Sequence, residues 1–270
     1  MGNLGTNATS KRVQQEEVPV LKCHNNLKRE SLYLKKVKES DRYVYSLNFD
    51  FSCTFDCIIT IQLCASEYRS SKKGSPTVYF YTPPEISNGI AKYKFSARAR
   101  HEFPFKAFII DFSKYDLKEM TTFKEDEYYP IVITIESCPR FTPSKHEYVA
   151  PQQCQITYGS FIVNSQGDYC LLPKKQCLQF QNKIFKIEDI YGLSTKDEGS
   201  FSDEAMKECI ICYSNPKNTV VYPCKHICLC NACAQVVRMQ SSKCPICRLE
   251  AEKFITVQID KPGNSDSECM

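Results

Sequence analysis

Residues 208–248 read ECIICYSNPKNTVVYPCKHICLCNACAQVVRMQSSKCPICR, and this stretch decides the fold of the C-terminal part of the chain. Seven of its cysteines and one histidine form four closely spaced pairs: Cys209-x2-Cys212, Cys224-x-His226, Cys230-x2-Cys233 and Cys244-x2-Cys247. Zinc takes four sulfur or nitrogen ligands in a tetrahedron, and a Cys-x2-Cys turn places two thiolates on one ion without strain. The eight ligands therefore predict two structural zinc ions.

One further cysteine lies inside the array. Cys228 is placed between His226 and Cys230. Using it as a ligand would leave a four-residue gap to Cys233, whereas Cys230 completes a second Cys-x2-Cys turn. The spacing favours Cys230 as the ligand and Cys228 as a free thiol.

The composition supports metal binding rather than disulfide bonds. The N-terminus has no apolar signal core, and no run approaches the roughly 18 apolar residues of a membrane-spanning helix. Cysteine pairs in such a chain indicate metal ligands in a reducing compartment. With 270 residues, 42% of them hydrophobic, we expect a soluble, cytoplasmic protein of two modules.

The charge pattern argues against nucleic acid as a partner. Net charge is +4, and the 35 basic residues are mixed with 31 acidic ones without a dense block. The helix predicted at Cys233–Gln240 carries a single arginine, Arg238. Nucleic-acid-binding modules concentrate basic residues on one face.

The order of the ligands resembles the C3HC4 RING finger. That resemblance implies that the first and third pairs share one zinc, and that the second and fourth pairs share the other. It also implies that Ile210, Val237 and Pro245 contact a ubiquitin-conjugating enzyme. Packing in the small core is the alternative, above all for Val237, which Val236 or Met239 could replace.

Arg248 directly follows the last ligand. In RING ubiquitin ligases a cation at this position, the linchpin, bridges the conjugating enzyme and its ubiquitin. The resemblance therefore implies direct transfer of ubiquitin to a substrate lysine, without a ubiquitin intermediate on the ligase. A solvated surface arginine, in a zinc adaptor that only binds proteins, is the alternative.

Upstream of the array the pattern changes to period two, which is typical of half-buried strands. Apolar residues alternate in 43–51, 57–63, 131–135 and 156–162, and Pro, Gly and Asn turns separate these runs. The sequence predicts a mainly β protein, with an antiparallel β-sandwich-like domain over 30–192 followed by a small zinc-stabilised α+β RING finger over 206–260. Within this plan we expect a short helix over Lys183–Tyr191, a linker over 193–205, a β-prone run around 252–259 that pairs with the RING or with a second copy, and a disordered tail over 261–270.

The first residues, Met1 to Thr6, match the N-myristoylation pattern, with Gly2 as the acceptor. We expect residues 1–29 to form a flexible arm. A single acyl chain gives only reversible membrane contact, so the pattern indicates peripheral membrane association of a cytoplasmic protein.

The combination extends the resemblance. The acylation pattern, the runs YSLNFDF (45–51) and FIIDFSKY (108–115), IEDIYGL (187–193) and the zinc array together resemble the mahogunin RING finger family of ubiquitin ligases, over about residues 30–260. The resemblance implies that the β-rich domain binds protein substrates or adaptors. Longer relatives carry extended tails after the RING, and this chain ends soon after it.

Overall fold

The structure is a computed structural model and describes residues 14–18, 23–69, 78–84, 86, 89–138, 140–142, 147–149, 153–180, 183–192 and 208–257. Its strands are β1 (Gln14–Val18), β2 (Asn25–Leu27), β3 (Tyr33–Glu39), β4 (Arg42–Asn48), β5 (Asp50–Cys53), β6 (Cys57–Arg69), β7 (Val78–Tyr81), β8 (Ile90–Phe95), β9 (Arg98–Glu102), β10 (Ile109–Ile110), β11 (Tyr128–Ser137), β12 (Arg140–Thr142), β13 (Glu147–Val149), β14 (Gln153–Val163), β15 (Tyr169–Phe180), β16 (Lys183–Ile187), β17 (Thr219–Tyr222), β18 (His226–Leu229) and β19 (Lys253–Val257). The α-helices are α1 (Leu117–Thr121) and α2 (Asn231–Gln240).

The chain divides into two compact units. One runs from Cys23 to Glu188 and is called the β domain here. The other combines Met1–Lys22 with Asp189–Met270, and its described residues, 14–18, 189–192 and 208–257, are called the RING unit. The prediction of a mainly β protein with a separate zinc-ligand module is confirmed.

A seven-stranded antiparallel sheet forms the centre of the β domain. Six strands follow in the order β16-β15-β14-β11-β6-β7, and β8 also pairs with β6. The alternating residues predicted from the sequence meet in register across β6 and β11: Ile61 lies opposite Ile133, for example. Both side chains are almost fully buried, because each strand turns one face toward the core.

Two three-stranded sheets, β10-β4-β3 and β2-β5-β9, supply the other side of this core. Leu47, Phe49 and Phe51 of the YSLNFDF run are buried there, and Phe49 stacks on Phe103 with ring centroids 4.6 Å apart. Packing of apolar side chains between sheets is the arrangement of a β-sandwich. The sandwich-like interpretation therefore holds for this domain.

The predicted flexible arm, residues 1–29, differs from the structure at two places. Gln14–Val18 forms β1, and Asn25–Leu27 forms β2. Buried glutamines of the large sheet fix β2: Gln155 Oε1 accepts from the amide of Leu27 at 2.6 Å, and Gln176 Nε2 donates to the Leu27 carbonyl at 3.1 Å. These side chains satisfy backbone groups that would otherwise be unpaired in the core. Gly2, the linker 193–205 and the tail 261–270 lie outside the described residues.

The predicted helix over Lys183–Tyr191 is wrong. Residues Lys183–Ile187 form β16, an edge strand that pairs antiparallel with β15. The spacing of Ile184, Ile187 and Tyr191 fits a helical face, but the same segment alternates as a strand. The open edge of β15 satisfies its backbone groups, and tertiary pairing overrides a weak local preference.

The RING unit contains a four-stranded sheet in the order β1-β19-β17-β18, with α2 beside it. The β-prone run after the last ligand forms β19 and pairs antiparallel with β17, so the prediction of pairing on the RING itself is confirmed. Within the described ranges, no helix has both the length and the apolar character needed to cross a membrane.

Candidate metal centres and the RING surface

The first predicted ligand set comes together in the structure. The four sulfur atoms of Cys209, Cys212, Cys230 and Cys233 all lie within 4.8 Å of one another. Cys230 is the residue that caps α2, and Cys233 lies in the first turn of that helix. Cys212 Sγ and Cys230 Sγ are 3.9 Å apart. Four thiolates at about 2.3 Å from a central zinc are about 3.8 Å apart, so this cluster fits a tetrahedral zinc ion.

The second set comes together in the same way. Cys224, His226, Cys244 and Cys247 place one ligand atom each within 4.8 Å of the others. His226, the first residue of β18, points Nδ1 toward Cys244 Sγ at 3.7 Å. A sulfur and an imidazole nitrogen on one zinc are separated by about this distance. Both clusters have four protein ligands, which is the composition of a structural zinc site.

Two of the Cys-x2-Cys turns share one backbone geometry. The amide of Tyr213 donates to the Cys209 carbonyl at 2.9 Å, and the amide of Arg248 donates to the Cys244 carbonyl at 2.8 Å. Both donors have a left-handed backbone, with φ of 50° at Tyr213 and 60° at Arg248. Arg248 is thus fixed at the end of a turn that closes around the second cluster, and its side chain is exposed.

Backbone amides prepare some of these thiols as ligands. Amide donors from Ser214 and Asn215 lower the pKa of Cys212 to about 6. The amide of Leu249 similarly lowers the pKa of Cys247. A hydrogen bond to the thiolate favours the charged form, and the thiolate is the form that binds metal.

Cys228 belongs to neither cluster. Its side chain is 1% exposed, and burial raises the pKa of its thiol to about 12. It packs with Leu229, Ala234 and Phe254 in the core of the RING unit. A neutral, buried thiol behaves as a small apolar side chain. The structure thus places Cys230 in the ligand set and Cys228 in the core.

The predicted contact residues lie at the surface of the RING unit. Ile210 lies in the first Cys-x2-Cys turn, and Pro245 in the last, each partly exposed. Val237 is also partly exposed but packs against the core, while its neighbours on α2, Val236 and Met239, are 51% and 78% exposed. All three α2 side chains therefore remain available to a partner, as the sequence left open.

The structure adds two segments to the RING unit that sequence reasoning missed. Strand β1 pairs in parallel with β19. Tyr191 bridges to His226 at the edge of β18, with its amide donating to the Lys225 carbonyl at 3.0 Å. Neither segment has an apolar pattern from which this pairing could have been predicted. The bonds are formed by backbone groups, which every sequence offers.

The two four-ligand clusters define the class of this part of the chain, a C3HC4 RING finger. Residues 205–254 match the family described as "Zinc finger, C3HC4 type (RING finger)". Residues 25–187 match the family described as "RNF157-like N-terminal domain". Because that match covers more than half of the chain, the protein belongs to this family. The predicted resemblance to the mahogunin RING finger family is confirmed by the relatives that follow.

Relatives of the chain carry names that state an activity, among them the following three. The chain is 29% identical over 267 residues to "Probable E3 ubiquitin-protein ligase LOG2" of Arabidopsis thaliana, covering 94% of this chain and 65% of that protein. It is 26% identical over 262 residues to "E3 ubiquitin ligase Rnf157" of Xenopus laevis, covering 90% of this chain and 37% of that protein. It is 26% identical over 268 residues to "E3 ubiquitin-protein ligase MGRN1" of Homo sapiens, covering 92% of this chain and 46% of that protein. The chain thus spans less than two thirds of the length of each of these relatives, and no solved structure matches it.

Proposed function

We propose that the chain is a RING-type E3 ubiquitin ligase that binds a ubiquitin-loaded conjugating enzyme and promotes transfer of ubiquitin to a substrate lysine. The observation that carries this proposal is the pair of four-ligand clusters, with Arg248 exposed directly after the last ligand. The names of the relatives support the same activity.

The two zinc ions would supply structure rather than chemistry. Cys209, Cys212, Cys230 and Cys233 would hold one ion, and the second cluster the other. Four protein ligands leave no open coordination position for a water molecule, in contrast to catalytic zinc sites. The ions would hold the turns that carry Ile210, Pro245 and Arg248.

The surface residues would then act by binding and orientation. Ile210, Val237 and Pro245 would offer apolar contacts to the conjugating enzyme. The Arg248 guanidinium has several donors in a planar fork, so it could donate to carbonyls of the conjugating enzyme and of ubiquitin together. Holding the thioester in one conformation brings the substrate lysine into attacking geometry, and this needs no nucleophile on the ligase.

The β domain would supply specificity. A ligase that takes no ubiquitin onto itself selects its target by binding it, and the β domain, Cys23–Glu188, is the larger compact unit of the chain. We propose that it binds protein substrates or adaptors.

The N-terminal pattern adds a proposal on location. Myristoylation of Gly2 would give a cytoplasmic ligase reversible contact with membranes, since one acyl chain anchors only marginally. Metabolic labelling with an alkyne-tagged myristate should label the wild-type chain and not a Gly2→Ala variant. Equal labelling of both would contradict acylation at this residue.

The ligase proposal is tested by discharge of ubiquitin from a loaded conjugating enzyme onto free lysine. The wild-type protein should accelerate discharge, and Arg248→Ala should lower the rate about tenfold or more, because charge-assisted hydrogen bonds contribute on the order of 1.5–3 kcal/mol. Arginine and alanine both carry a Cβ, which disfavours a positive φ, so the substitution removes the guanidinium and leaves this backbone restriction in place.

Lys243→Ala is the matched control for Arg248→Ala. Lys243 is an exposed cation of the same unit and precedes the ligand Cys244. Its removal should leave discharge unchanged. No acceleration by the wild-type protein, across a broad panel of conjugating enzymes and with zinc retained, would favour a non-catalytic adaptor instead.

A further inference from the structure

The N-terminal strand β1 is a component of the RING sheet, although more than 200 residues separate it from β19 in sequence. The parallel register runs from Gln14 opposite Lys253 to Val18 opposite Val257. An ion pair between Glu16 and Lys253 at 3.3 Å accompanies the backbone pairing. Residues that follow the last zinc ligand are therefore held on both sides, by β17 and by β1.

Gln15 carries the contact that reaches beyond the sheet. Its Nε2 donates to Thr256 Oγ1 at 3.2 Å and also hydrogen-bonds Asn231 Oδ1. Thr256 is 4% exposed, and its hydroxyl lies 3.2 Å from that of Thr219 on β17. A single amide group thus joins β19 to the first residue of α2.

Helix α2 is the element whose placement matters for the proposed reaction. Asn231 directly follows the ligand Cys230, and the helix carries Cys233 and the expected contact residue Val237. The two cysteines tie the start of α2 to one cluster. The Gln15 amide ties the same turn to the sheet, so the helix is fixed from two directions.

We propose that Gln15 is a positioning residue for the face of α2 that receives the conjugating enzyme. The proposal rests on the ligase function and extends it to a residue outside the RING finger match. Without the amide, Asn231 loses a partner and α2 is free to shift against β19. The zinc ligands do not change, so both metal centres persist. The consequence is a weaker complex with the conjugating enzyme rather than a lost fold.

The test uses the full chain and measures KM and kcat for discharge of the ubiquitin-loaded conjugating enzyme, together with zinc content. Gln15→Ala should raise KM about fivefold, the effect of one hydrogen bond of about 1 kcal/mol, with kcat and zinc content unchanged. Gln14→Ala is the control, since Gln14 lies on the other face of the same strand and is exposed.

A charge-matched set makes the contact itself measurable. In an Asn231→Asp background, Gln15→Lys keeps a donor opposite the new carboxylate, and KM should stay near that of Asn231→Asp alone. Gln15→Glu in the same background places two carboxylates together, and KM should rise about tenfold, because like charges in contact repel.

The outcomes separate this proposal from the ligase function. A wild-type protein that promotes no discharge removes the proposed function itself. With an active wild type, equal KM for Gln15→Ala and Gln14→Ala overturns the positioning role. Loss of zinc from Gln15→Ala would make the residue structural and also overturn it. Equal KM for the Lys and Glu variants in the Asn231→Asp background would exclude the contact.

Discussion

The β domain and the RING unit are stabilised by different means. The core of the β domain is built from large apolar side chains on three sheets, among them Leu47, Phe51, Ile61 and Ile133. The core of the RING unit has few large apolar side chains, chiefly Phe254, and Cys209, Cys230 and Cys244 in that core are also ligands. Burial alone can therefore hold the first unit, whereas we infer that the second depends on metal bound at its two clusters.

The physical reason is size. A module of about 40–50 residues buries too little apolar surface to offset its conformational entropy. A structural zinc site contributes on the order of 10–16 kcal/mol of folding free energy in small domains. The difference between the two units can be tested by perturbing each of them separately.

Removal of zinc should have the largest effect and should be confined to one unit. With excess chelator we expect amides in 208–257 to lose protection in hydrogen-exchange mass spectrometry. Amides of β1 should follow, because that strand pairs with β19. Amides of the β domain should stay protected. Retained protection in 208–257 after metal removal would contradict the claim that the RING unit, unlike the β domain, needs metal to fold.

Two neighbouring cysteines test the metal dependence of the RING unit more closely. Cys230→Ala removes a ligand and should release one zinc ion with loss of structure in the RING unit. Cys228→Ala removes only a small buried side chain and should keep both ions, with a loss of about 1 kcal/mol in unfolding free energy. Zinc content of the two purified variants, determined by mass spectrometry, checks this. Loss of zinc from Cys228→Ala but not from Cys230→Ala would show that Cys228 is the ligand.

Shortening a buried side chain of the β domain should destabilise that domain without affecting metal binding. Ile133 is 1% exposed on β11, and Ile133→Ala should lower the unfolding free energy of that domain by about 2–5 kcal/mol through lost packing. Zinc content should not change. Ile162→Ala on the neighbouring strand β14 is the control, since Ile162 is 44% exposed, and its cost should stay below about 1 kcal/mol. Equal losses of unfolding free energy for the two variants in chemical denaturation would contradict the placement of Ile133 in the core.

The smallest expected effect concerns Asp111 in the β domain. The Ser113 hydroxyl donates to its carboxylate at 2.6 Å, and Arg42 lies 2.8 Å away. The hydrogen bond from Ser113, helped by Arg42, lowers the pKa of Asp111 below its ordinary value. A lowered pKa in the folded state adds stability above the unfolded pKa of about 4, and this stability is lost as pH falls through the folded value.

Asp111 also caps the short 3-10 helix Phe112–Lys114, where its carboxylate accepts from the amide of Ser113 at 3.2 Å. Asp111→Ala should therefore cost about 1 kcal/mol at neutral pH, the usual effect of losing a capping carboxylate. In urea titrations between about pH 6 and pH 3, the difference from wild type should shrink as pH falls. If the difference in unfolding free energy stays constant across this range, the stabilisation comes from packing of Asp111 and not from its charge.

The local features of this protein could be predicted from its sequence. Two ligands that are only a few residues apart can bind the same ion, so the spacing of the ligands between Cys209 and Cys247 predicts both clusters. Alternation over Ile59–Leu63 and Ile131–Ile135 announces buried strands, since side chains of a strand point alternately to its two faces.

Features that depend on tertiary pairing could not be predicted. Gln14–Val18 reads QQEEV, with no apolar alternation, and becomes a strand because β19 offers an open edge. Lys183–Ile187 fits two periodicities, and the edge of β15 decides between them. Gln155 and Gln176 look like surface residues, yet their amides are buried where they satisfy the backbone of β2. For β1 and β2 the partner lies far away in the sequence, whereas β16 pairs with the strand directly before it and only the free edge of that strand decides its conformation.

The central claim, two closed zinc centres that hold the RING unit, is tested most directly by X-ray absorption at the zinc edge on the purified protein. Seven thiolates and one imidazole shared by two ions give an average of 3.5 sulfur and 0.5 nitrogen ligands per zinc. We predict this composition, with sulfur at about 2.3 Å, and two zinc ions per chain. A shell rich in oxygen or nitrogen, or a single zinc ion per chain, would contradict it.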